Sequence, residues 1–115
     1  MIYIGNTFSP MMVGEGLEAV VREVSLDEIR HEFIFGTPVS VVSHETTAAV
    51  LSALLGFPVK FNRVNLTLSS RDHLLCVVPN FRASEAREFT REEVEAAGFR
   101  CFWVKVRSRG RRWKK

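Results

Sequence analysis

The chain has 115 residues, 46% of them hydrophobic, and a formal net charge of +3. That length allows one domain, and the apolar content allows a core removing somewhat over ~60% of the unfolded surface from water. No apolar run approaches the ~20 residues of a spanning helix, and residues 1–6 lack the basic start of a signal peptide, so a cytoplasmic protein with no membrane partner is expected.

The charge is uneven. Seven of the 16 Lys and Arg lie from Lys105 onward with no acid among them, leaving residues 1–104 with nine basic against 13 acidic side chains. The folded body is therefore net acidic, and no sequence-specific DNA binding is expected of it.

Ile2 to Ile4 is a short β-type run ending at Gly5-Asn6. Ser9-Pro10 has the chemistry of a helix start, Ser at the N-cap and Pro at the first position, for a single turn through Val13. Leu17 to Val24 reads as a strand. Ser25-x-x-Glu28 is a capping box that opens a short helix from Leu26 to about Phe33. After Gly36-Thr37-Pro38, the β-branched run to Ser43 predicts a third strand. It passes at His44 directly into a helix from Glu45 to Leu55, closed by Gly56 and Pro58.

Arg63 to Leu68 alternates, with Val64, Leu66 and Leu68 on one face, while Leu74 to Val78 is apolar throughout. Read together they predict a hairpin whose second strand is buried on both faces. Pro79 to Phe89 is a polar loop. Thr90-x-x-Glu93 opens a helix to Ala97 stopped by Gly98, and Arg100 to Val106 is the last strand. The expected fold is a single α/β domain over residues 1–106, a mixed sheet of five to six strands flanked by helices, with a basic, disordered tail at 107–115.

Cys76 and Cys101 sit inside apolar runs and read as small buried hydrophobes rather than as a disulfide or ligand pair. His31, His44 and His73 show no metal-ligand spacing, so no metal site and no cofactor are expected.

The chemistry-bearing residues fall at strand ends. Asn6 and Ser9 follow the first strand, His44 the third, and Arg82 and Glu85 the second hairpin strand, beside whose end Arg63 starts its partner. If the first, third and fifth strands are parallel, all six gather on one sheet edge, where open α/β sheets bind ligands. Each has a plainer reading. His44 could cap its helix, Ser9 cap its turn and Asn6 make a bend; Arg63, Arg82 and Glu85 could be solvated charges.

Asn6-Thr7-Phe8-Ser9, Ser43-His44-Glu45-Thr46-Thr47, Asn62-Arg63-Val64 and Arg82-Ala83-Ser84-Glu85 resemble, in order and spacing, the motifs of the viral ring nucleases. These are type III anti-CRISPR proteins first met in archaeal viruses, with cellular relatives. The resemblance runs from about Ile2 to Val106. It implies a homodimeric α/β hydrolase with two sites at the interface. Its substrate would be cyclic tetra-adenylate, the second messenger of type III CRISPR antiviral defence, cut without metal to linear di-adenylate. It implies His44 as general acid, Glu85 as an orienting catalytic group, and Arg63, Arg82, Asn6 and Ser9 as substrate contacts. The positive end of a helix dipole opposes an imidazolium at His44 while a bound phosphate favours it, so the acid role depends on substrate being present. Pro79-Asn80-Phe81 stands where many relatives carry Ile-Ser-Gln, so polar contacts to adenine from there are not implied. The alternative is a protein that binds a cyclic oligonucleotide or nucleic acid without cutting it. The basic tail reads either as a solvated, disordered end or as an aid that steers a substrate with four negative charges.

Overall fold

A computed structural model describes residues 1–80 and 90–108, with backbone alone for Arg91. In chain order the elements are β1 (Ile2–Gly5), a 3-10 turn (Pro10–Met12), β2 (Leu17–Val24), α1 (Leu26–Phe35), β3 (Val39–Ser40), α2 (Glu45–Leu55), β4 (His73–Pro79), α3 (Arg91–Ala97) and β5 (Phe99–Ser108). Local chemistry sets the helix starts. Ser25 Oγ accepts the Glu28 N–H at 3.2 Å. Thr90 and Glu93 close a complete capping box at 3.1 and 3.2 Å, and Ser9 Oγ accepts from Met11 N–H at 3.3 Å.

The sheet order is β2-β5-β4-β1-β3. β1 pairs in parallel with both β3 and β4, while β5 runs antiparallel to β4 and β2. The α/β single-sheet expectation is met with five strands. The hairpin is not. β4 takes β1 and β5 as neighbours, and the segment before it touches strand-like partners only at single bridges, Val42 to Phe61 and Val13 to Leu68. The alternation in that segment is still real. Leu68 is fully buried and Leu66 partly so, on the sheet face that carries Leu74, Cys76, Val104 and Val106. Leu66 and Leu68 cover this face while Val64 is exposed, so the period of two reports one-sided burial of its last two apolar residues rather than ladder pairing.

The opposite face holds Ile4, Leu75, Val77 and Cys101 against Ile29 of α1, Val50, Leu51, Leu54 and Leu55 of α2, and Val94 of α3. α2 is pinned at its C-terminal end. Gly56 turns the chain with φ 75°, and Arg30 of α1 donates from Nε to the Leu55 carbonyl at 3.1 Å and from Nη2 to Leu54 at 2.6 Å. These carbonyls are the negative pole of the helix and lack partners of their own.

β5 extends past Val106 into the stretch expected as tail. Arg107 Nε donates to Glu18 Oε1 at 2.6 Å across the β2–β5 ladder, and residues 109–115 lie outside the described residues. Both cysteines are buried and unbridged, on opposite faces of adjacent strands. Burial pushes their thiols up, to about 12 for Cys76 and about 11 for Cys101. Among the described residues, no helix is long and apolar enough to cross a membrane.

His73 Nδ1 accepts the Trp103 indole N–H at 2.8 Å, which requires that nitrogen to be unprotonated. Desolvation, then the nearby charges of Lys105 and the N-terminal amine, hold its pKa below the usual 6.5. As pH falls, the unfolded chain takes up this proton before the folded one. The contribution to stability is therefore full above about 6.5 and is lost as pH drops toward the depressed folded value. The denaturation midpoint should fall from about pH 7.5 to about pH 5 more steeply in the native protein than in His73→Gln. Equal slopes would show that His73 carries none of the effect.

Candidate functional site

Because β1, β3 and β4 are parallel, their C-terminal ends share one edge of the sheet. Asn6 leaves β1 there. Ser43 and His44 follow β3 after the bridge at Val42, and α2 begins at once. His44 is the N-cap, with extended backbone (φ −131°, ψ 132°), and its carbonyl takes the Ala48 N–H at 3.0 Å. Its side chain makes no capping hydrogen bond and is exposed. The plain capping reading therefore does not hold, and the imidazole is not committed to stabilising the helix. The first-turn N–H groups keep the positive end of the dipole turned to the edge. Thr47, in that turn, is buried to 1% exposure with no hydrogen-bond partner for its hydroxyl among the described residues.

A recess of about 110 Å³ opens beside this junction, lined on its polar side by Asn6, Thr7 and Ser43 and on its apolar side by Met12, Val41, Val64 and Leu66. It holds about three or four waters or a group of phosphate size. Its floor is tight: a Cβ at Gly5 would stand 3.2 Å from Val41 Cγ2, so a larger residue there would push against the recess wall. Asn6 is half-buried. Ser9 is spent as the cap of the 3-10 turn through its oxygen, which leaves its O–H as a donor.

Arg63 reaches the same neighbourhood by a route the sequence did not indicate. Asn62 donates its N–H to the Val42 carbonyl at 2.8 Å and its Nδ2 to the Ser40 carbonyl at 2.6 Å. These bonds lay residues 61–62 alongside the end of β3, and Arg63 follows them in the chain. Its guanidinium is exposed and lies 5.9 Å from the Phe61 ring centroid. Arg82 and Glu85 lie outside the described residues; of the other four, Asn6 and His44 follow strands that end at this edge, Arg63 follows the segment bonded to β3, and Ser9 caps the 3-10 turn. Asn62 and Thr47 stand within the quoted motifs, but the sequence assigned neither a role. An amide in a strand-like run and a threonine early in a helix carry no periodic signal of their own.

These features define a class: small α/β proteins with one mixed sheet and polar groups gathered at the carboxyl ends of its parallel strands. Within it, the chain belongs to the STIV B116-like family, whose model matches residues 2–101. It is 27% identical over 108 residues to uncharacterized protein 26 of Sulfolobus islandicus filamentous virus, covering 92% of each chain. It is 28% identical over 111 residues to uncharacterized protein ORF117 of Acidianus two-tailed virus, covering 91% of this chain and 92% of that one. Among solved structures, B116 of Sulfolobus turreted icosahedral virus superposes with a TM-score of 0.76 at 17% identity, over 90% of this chain and 97% of that one. That match is one of fold.

Proposed function

We propose that this viral-family protein is a metal-independent ring nuclease. It cleaves cyclic tetra-adenylate to linear di-adenylate bearing a 2′,3′-cyclic phosphate, and so silences type III CRISPR signalling in the host cytoplasm. The observation that carries the reading is His44: an exposed imidazole, free of capping duty, at an open helix N-terminus beside a recess of phosphate size. A binding-only protein has no need of a proton-bearing side chain at that point.

The chemistry follows from these groups. The phosphodiester's non-bridging oxygens sit at the first turn of α2, where backbone N–H groups and the dipole favour an anion. The guanidinium groups of Arg63 and Arg82 hold further phosphate oxygens, with Asn6 and Ser9 donating hydrogen bonds. Glu85 orients the ribose 2′-hydroxyl, which gives its proton to solvent water as its oxygen attacks phosphorus. The P–O5′ bond breaks, and His44 gives its proton to the departing 5′-oxygen. The neutral imidazole regains a proton from water. A ring of four nucleotides matches a two-fold dimer, with one cut at each of two equivalent sites.

The test is incubation with labelled cyclic tetra-adenylate in excess EDTA, followed by product separation. Linear di-adenylate with a 2′,3′-cyclic end is expected. Intact ligand that stays bound would replace the enzyme with a sponge, and cleavage that stops on chelation would refute the metal-free step.

A further inference from the structure

The two edges of the sheet are finished differently. β3, at one edge, is two residues long and follows Pro38. The segment after α2 covers its free side: Ser40 Oγ donates to the Lys60 carbonyl, and the Asn62 N–H and Nδ2 donate to the Val42 and Ser40 carbonyls. β2, at the other edge, is eight residues long and contains no proline. Its register against β5 runs from Leu17 opposite Ser108 to Val24 opposite Cys101 without a bulge. Among the described residues no strand pairs with its outer side, and Val20 and Val21 at its middle are 43% and 51% exposed. Sheet proteins usually guard against an edge that is long, regular and apolar, because its unpaired N–H and C=O groups are a template for another strand.

The outward-facing groups follow from β5. Val106 donates its N–H to the Asp72 carbonyl at 3.1 Å and accepts the Arg71 N–H at 2.9 Å, so both its backbone groups point away from β2. Ala19, opposite Val106, therefore turns its own N–H and carbonyl outward, as do Leu17, Val21 and Glu23 by alternation. A second β2 running antiparallel must match outward residues with outward residues, which restricts the register to steps of two. With Val20 opposite Val20 of the second copy, Ala19 and Val21 form hydrogen-bonded pairs. Glu18 then faces Arg22 twice, in the non-hydrogen-bonded pairs where side chains approach closest. A slip of two residues either way sets Glu18 or Arg22 against Val20 instead.

We propose that two copies of this chain join through β2 in that register, doubling the five-stranded sheet. β2 runs the same way as β1, β3 and β4, so an antiparallel pair turns the two His44 edges in opposite directions. The contact is separate from any arrangement that presents two sites to one cyclic substrate, and it stands without the nuclease reading. One strand pair is small for a specific interface, so a dissociation constant of about 1–100 µM is expected.

The experiment is sedimentation velocity of the full-length protein from about 5 to about 500 µM, at about 50 and 500 mM salt. The mass should double over the concentration range, with weaker association at the higher salt. Arg22→Glu and Glu18→Arg should each weaken association about tenfold, and the two together should restore it to within about threefold. Glu18 and Arg22 also have partners in their own chain, Arg107 at 2.6 Å and Glu28 at 3.3 Å. The double reversal repairs neither of those, so the rescue reports the contact between copies. Val21→Pro should abolish association with the chain still folded, because that N–H faces outward and an edge strand tolerates proline there. Under mild oxidation Val20→Cys should give a disulfide-linked pair, its two Cα atoms standing about 4.5 Å apart, while Glu23→Cys should not. An unchanged mass up to about 500 µM would overturn the proposal and leave this edge to a different chain. So would self-association that survives both single charge reversals.

Discussion

His44→Ala should slow single-turnover cleavage of cyclic tetra-adenylate by ~10²–10⁴-fold, the usual worth of a positioned general acid, while substrate affinity changes by no more than a few fold. The structure makes this a clean substitution. An N-cap side chain that accepts a first-turn N–H is worth about 1 kcal/mol to its helix, and His44 makes no such bond. Its removal therefore costs α2 little, and the melting temperature should stay close to the native value. Lost activity would then report chemistry rather than unfolding. A His44→Ala rate near native would take the proton-donor role away from His44. Loss of binding together with rate would instead make it a substrate contact.

Leu75→Ala should lower unfolding free energy by about 2–5 kcal/mol, the range for deleting a buried leucine's methyl groups and leaving a cavity. Leu75 is fully buried in β4, the strand that bonds both β1 and β5, on the face shared by the helices. At roughly 4 °C per kcal/mol for a domain of this size, the melting temperature drops by about 8–20 °C. Chemical denaturation with an unchanged m-value would locate the effect in the native state. A loss under about 1 kcal/mol would mean that neighbouring side chains close the cavity.

What could be read in the sequence was whatever is written locally. The Ser25 and Thr90 caps, the reach of α2 from Glu45 to Gly56 and the burial of both cysteines all rest on residues a few positions apart, and the structure has each of them. Strand partnership is not written locally. The alternation from Val64 to Leu68 and the apolar run after it look like a hairpin because adjacent strands usually pair. Here the first only lays Leu66 and Leu68 on a sheet face, and the second lies between β1 and β5. The site shows the same division. His44 and Asn6 were legible as strand-end residues because parallel strands bring their ends together. The approach of Arg63 depends on Asn62 bonding to β3, a long-range contact that no pattern in residues 61–68 announces.

The strand order also constrains when the molecule can form. β2 has one partner in the described sheet, β5, with three helices and two strands between them in the chain. β1, near the centre of the sheet, pairs only with strands that come after it. No early stretch can build a stable piece of the sheet by itself, and closing such distant pairs requires loop entropy to be lost before the contacts reward it. Folding should therefore be slow for a protein this small and should have little stable structure before β5 joins. During synthesis the chain would wait, with its apolar strands exposed, for the last strand to emerge.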